Sequence, residues 1–180
     1  GQCSTVEDQG RLGSCTAQAL AGNLEFLDNL PDAAYADVSR LFIYYNERVI
    51  LKTVDYDSGA RLRDGIKTLR KDGSCSEKTW PYRPARFAVK PTAKSYAEAK
   101  PRTISSYYRI QTLNEMLACL SDGFPFVFGF TVYESFESPK AAKTGVVLMP
   151  QKTERALGGH AVLAVGYNQR SKRFLIRNSW

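Results

Sequence analysis

The chain is short of several things. One histidine, His160, stands among 180 residues, so a single imidazole is available as a base. The four cysteines, Cys3, Cys15, Cys75 and Cys119, form no CxxC pair that would argue for zinc, and neither a metal nor a cofactor is expected. No apolar run is long enough to span a membrane, and no secretory signal stands ahead of the first helical pattern. Gly1 lies only a few residues before Gln9, leaving no inhibitory pro-segment, and the stop at Trp180 is as abrupt; a processed or trimmed chain is expected. Disorder is excluded by composition, with 43% hydrophobic residues and enough aromatics to build cores.

Acidic residues are the scarcer sign. Against 25 basic residues stand 18 acidic ones, for a net charge of +7. Residues 83–109 carry seven basic side chains against Glu98, together with Pro84, Pro91, Pro101 and the tyrosines 96, 107 and 108. This reads as a solvated connection between two lobes. Phosphate attraction and base stacking would suit such a stretch, but no nucleic-acid motif accompanies it, so nucleic acid is disfavoured as a partner. An acidic pro-segment or an acidic substrate would also fit there.

Helical spacing dominates the first half. A helix is expected over 15–30, buried along Ala17, Leu20, Ala21, Leu24 and Leu27 and ending before Pro31. A second runs from Asp37-Val38-Ser39 into Leu41–Tyr45, and a third spans 60–72 with Leu62, Ile66 and Leu69 inward. Beyond residue 100, Thr112 and Glu115 predict a capping box on a helix ending at Gly123. Strands follow at 126–130, 158–167 and 174–180, the last two joined by the polar turn 168–171. The expected architecture is α+β: a mainly helical lobe over 1–100, a strand-rich partial barrel over 101–180, and a cleft between them.

The segment Gln9-Gly10-Arg11-Leu12-Gly13-Ser14-Cys15 runs straight into the first helix. A thiol at that boundary meets free backbone N–H groups and the positive end of the helix dipole, which predicts a lowered pKa. Taken alone, Cys15 is also readable as a small buried hydrophobe, and His160 as a structural histidine. Two glycines, Gly158 and Gly159, open the strand carrying His160, and antiparallel pairing with the last strand brings Asn178 near it to within a residue or two. An Asn178 amide oxygen accepting from one ring N–H would fix the tautomer and aim the other nitrogen at Cys15, with Trp180 covering that bond from water.

These segments resemble the papain-like cysteine peptidases, the C1 family. The resemblance rests on Val6-Glu7-Asp8-Gln9-Gly10, Gly13-Ser14-Cys15, Trp80-Pro81-Tyr82, Gly159-His160-Ala161-Val162, Val165-Gly166-Tyr167 and Asn178-Ser179-Trp180, all in the family's order. The spacing from Cys15 to His160 falls within the window of about 130–150 residues for such enzymes, and that to Asn178 slightly exceeds it. The resemblance implies a two-lobed papain-like fold with Cys15 as nucleophile, His160 as base and then acid, and Asn178 orienting it. Gln9 and the Cys15 backbone N–H would form the oxyanion hole, and Gly13, Gly59, Gly129, Gly158, Gly159 and Trp180 would contact a peptide or protein substrate. Leu12 and Thr16 depart from the plant and animal pattern of cysteine before the glycine and an aromatic after the nucleophile, and are similar to the divergent bacterial, archaeal and viral branch. The implied activity is thiol endopeptidase action through an acyl-enzyme. The alternative is a papain-like domain of impaired catalysis acting as a binding or regulatory module. A zymogen pro-segment is a further partner the family implies, and a secreted or periplasmic location follows from the resemblance alone.

Overall fold

Cys15–Asp28 form α1, the helix expected to begin at the thiol. The structure is a computed structural model that describes residues 3–28 and 37–180; Pro31 and the expected helix end at 29–30 lie outside them. Every residue from Thr16 to Gly22 is buried, so α1 is enclosed on all sides over its first two turns rather than along one stripe. Leu27, expected inward, is 36% exposed. An amphipathic stripe describes a surface helix, whereas α1 is central, wedged between helices and sheet.

Helix α2 spans Arg40–Leu51 and α3 spans Leu62–Lys71. The Ser39 hydroxyl caps α2 by accepting from the Phe42 N–H at 3.2 Å, and also donates to the Trp80 carbonyl at 2.6 Å. Leu41, Phe42, Ile43 and Tyr44 of α2 join Leu69, Cys75 and Trp80 in the principal core, against Ala17, Leu20 and Ala21 of α1. Burying such side chains contributes about 1.5–3 kcal/mol each.

The basic, proline-rich stretch is not a solvated connection. It holds a 3-10 turn at Pro84–Arg86 and helix α4, Ala93–Ala99, capped by the Thr92 hydroxyl. Pro91, Ser95 and Ala99 are buried, and the Tyr96 ring meets Phe42 edge-on while its hydroxyl donates to Asn46 Oδ1 at 2.8 Å. Small and aromatic residues face the core and most cations face water, which a charge count along the sequence cannot separate.

Thr112 and Glu115 form the expected capping box on α5, Leu113–Ser121. Strand β1 is Phe126–Tyr133, and the short helix α6, Pro139–Thr144, leads on to β2, Ala156–Asn168, and β3, Arg173–Arg177. The sheet is antiparallel in the order β1-β2-β3, with Phe130 opposite His160 and Arg177 opposite Leu163. Ala161–Ala164 of the central strand are buried beside α1. Pairing stops at Arg177, short of the expected 180, because Asn178, Ser179 and Trp180 leave the ladder to make the contacts described next.

Candidate active site

Helix α1 presents Cys15 at its first position, and β2 presents His160; both line one cleft of about 500 Å³. Ala161, next to His160, lines the same cleft beside Cys15, and its backbone N–H favours the thiolate there. His160 Nε2 and Asn178 Oδ1 are 2.7 Å apart. An amide oxygen only accepts, so Nε2 carries the proton and Nδ1 is left as the basic nitrogen. Trp180 stacks on the imidazole with centroids 4.3 Å apart and planes 28° apart, while Phe130 and Phe136 approach its edges.

The charges respond to this enclosure. Burial pushes the Cys15 thiol above its ordinary value, with the Glu47 carboxyl adding to the rise; the N–H groups of Ala161, Thr16 and Cys15 oppose it without reversing it. The sequence-based expectation of a lowered thiol pKa is therefore corrected, because loss of water outweighs the helix-start amides. Burial also holds His160 below the usual imidazole value, against the upward pulls of Asn178 and Glu137.

Gln9 is buried on the cleft wall and held four ways, its carbonyl accepting from the Tyr82 hydroxyl at 2.9 Å. Its backbone N–H donates to the Ser179 carbonyl at 2.9 Å, its Oε1 accepts from the Ser179 hydroxyl at 2.6 Å, and its Nε2 donates to the Leu12 carbonyl at 2.9 Å. The residue after Asn178 is thus tied to the turn before Cys15. Gly13 and Gly59 line one part of the cleft, with Gly129, Gly159 and Trp180 also on its walls; Gly158 does not line it.

Several residues that shape the site escaped sequence reasoning. Glu47 accepts from the Thr16 hydroxyl at 2.8 Å, Asp57 accepts from the Gly13 N–H, and Phe130 and Phe136 enclose the imidazole. Asp57 stands two residues before Gly59, a local cue, but nothing local pairs Glu47 with a residue 31 positions earlier.

A half-buried thiol at a helix start, beside an imidazole fixed by an amide in an α+β fold, defines the papain-like class of protein. The family profile described as papain family cysteine protease matches residues 1–180, and the chain belongs to that family. It is 46% identical over 183 residues to an uncharacterized peptidase C1-like protein, L477, of Acanthamoeba polyphaga mimivirus; that match takes in 96% of this chain and spans 59% of the viral protein's length. Xylellain, a cysteine protease from Xylella fastidiosa, shares the fold with a TM-score of 0.89 at 43% identity, over 98% of this chain and 71% of its own. The Carica candamarcensis cysteine protease CMS1MS2, solved in complex with E-64, aligns with a TM-score of 0.70 at 20% identity, over 100% of this chain and 78% of its own; this is a likeness of fold.

Proposed function

We propose that the chain carries the catalytic machinery of a cysteine endopeptidase acting through an acyl-enzyme. The observation that carries this reading is the 2.7 Å contact from His160 Nε2 to Asn178 Oδ1, which leaves Nδ1 basic in the cleft that Cys15 lines. The Cys15 proton passes to Nδ1 as sulfur attacks the peptide carbonyl carbon, forming a C–S bond and a tetrahedral oxyanion. The C–N bond then breaks, the imidazolium gives its proton to the departing amine, and a thioester remains. Water attacks that thioester with its proton taken by His160, the C–S bond breaks, and the proton returns to the thiolate as the acid leaves.

Gln9 and the Cys15 backbone N–H act as the oxyanion donors. Gln9 suits that role because its other contacts fix the amide and Nε2 keeps a second N–H beyond the one given to Leu12. Loss of one such donor typically costs about 2.7–4 kcal/mol in the transition state. Gly59 offers its backbone to a bound peptide, and Gly129 and Gly159, bare of side chains, make room for a bulky apolar or aromatic residue second before the cut.

An epoxide that traps reactive thiols, together with a peptide library, tests this. Labelling at Cys15, its absence in Cys15→Ala, and cleavage of peptides with an apolar or aromatic residue second before the cut are expected. A wild-type chain that neither labels nor cleaves would instead favour a binding or regulatory module.

A further inference from the structure

The cleft's Gly59 side belongs to a segment, residues 52–61, that contains no helix or strand. Such a segment is ordinarily mobile, yet a peptide-binding backbone must be held in place. Here it is held by a chain of polar contacts from buried α2. Arg48, fully buried, donates from Nη1 to the Val54 carbonyl at 2.9 Å and the Tyr56 carbonyl at 3.3 Å, and from Nη2 to the Phe87 carbonyl. Its guanidinium lies 4.1 Å from the centroid of the Tyr44 ring. The Tyr44 hydroxyl donates to Asp57 Oδ1 and accepts the Gly59 N–H at 3.1 Å. The Asp57 carboxylate accepts the Gly13 N–H with both oxygens, at 3.0 and 3.1 Å.

Asp57, two residues before Gly59, reaches across this joint to the turn that carries Cys15, and Tyr44 links its carboxylate to the Gly59 N–H. Gly13 lies two residues before Cys15, and a Cβ on it would meet Asp57 Oδ1 at 3.0 Å and Gly59 Cα at 3.4 Å. The two glycines therefore approach closely, and the carboxylate sets their separation. All four cysteines are free, so no covalent link shares this task.

We infer that Asp57 is a positioning residue for substrate binding: it locks the backbone of Gly59 to the turn that carries Cys15, at the spacing an extended peptide requires. This deepens the proposed endopeptidase reading and rests on it. Asp57 does not touch the reacting atoms, so its loss should weaken the hold on the peptide and spare the thiol–imidazole pair.

The test compares wild type, Asp57→Ala and Tyr44→Phe on two reporters cleaved at the same bond: a single-residue amide that reaches only Cys15, and a tripeptide amide that also reaches Gly59. Cys15 labelling by the epoxide is followed alongside. Wild-type labelling and cleavage first establish the underlying reading, so a silent wild type sinks that reading separately. For Asp57→Ala, KM for the tripeptide should rise about tenfold, the worth of one charge-assisted hydrogen bond. Its kcat, the single-residue reaction and the labelling rate should stay within about twofold. Tyr44→Phe, which keeps the ring against Arg48, should raise the same KM about threefold, and it carries the test should Asp57→Ala not fold. An unchanged tripeptide KM in both variants, or an equal fall on both reporters and in labelling, would overturn the inference, since a merely structural role lowers all three together.

Discussion

The Thr16 hydroxyl donates to the Glu47 carboxyl at 2.8 Å, one residue along α1 from Cys15. Glu47 comes from α2, is fully buried, and has Oε1 without a partner among the described residues. Burial, with Asp64 adding to it, pushes this carboxyl up to about 8, against the opposing pulls of Thr16 and Arg48.

A carboxyl raised in the folded state binds protons that the unfolded chain has already released. Stability should therefore be full below the ordinary carboxylate range near 4.3, fall as pH rises, and level off above about 8. Thermal unfolding across pH 5–9 should show this slope in wild type, amounting to a few kcal/mol, and a flatter one in Glu47→Gln. Parallel slopes would show that Glu47 is not the group responsible.

The sole histidine makes its titration readable by NMR. In a Cys15→Ala background, which removes coupling to the thiol, the imidazole midpoint should lie below 6.5 because burial disfavours the cation. Adding Asn178→Ala should lower it further, since the amide contact is the main upward pull. An unmoved midpoint would mean that Asn178 does not bond the ring in solution.

Gly65 of α3 faces Glu47 and α1 so closely that a Cβ would collide with Glu47 Oε1 and Leu20 Cδ1. Gly65→Ala should cost about 1–3 kcal/mol by overpacking, measured as a shift in the denaturant midpoint. Gly123, where φ is +87° and nothing lies within 4 Å, is the control: alanine there costs only about 1–2 kcal/mol of backbone strain.

The Cys75 thiol is fully buried and pushed up to about 12, chiefly by burial and then by Glu98. Iodoacetamide at neutral pH should therefore modify exposed Cys3 and leave Cys75 untouched until denaturant is added. Because the cysteines are free, reductant should leave the melting temperature unchanged. Early modification of Cys75, read by peptide mass mapping, would show that the core opens locally.

Elements whose signals lie within a few residues were legible from sequence. Thr112 and Glu115 cap α5, Ser39 caps α2, and the glycine-led apolar run around His160 is the central strand. Helix α4 is hidden because the lysines in and around it and the neighbouring prolines resemble a linker, while Tyr96's grip on Asn46 depends on α2. The helix start that favours a thiolate at Cys15 is visible in the sequence, whereas the burial that pushes the thiol the other way comes only with the packing of β2 and α2 around it.

What the sequence determined by itself was the inventory and its order: a cysteine at a helix start, one imidazole, an asparagine in the last strand-like segment, and the periodicity of the elements bearing them. These are properties of neighbouring residues, set by chain stereochemistry and hydrophobic spacing. Only tertiary structure decided the direction in which burial pushes the pKa of Cys15, His160 and Glu47, and the fastening of Gly13 to Asp57. Desolvation and hydrogen bonding between residues tens of positions apart arise once packing removes water and brings the partners together.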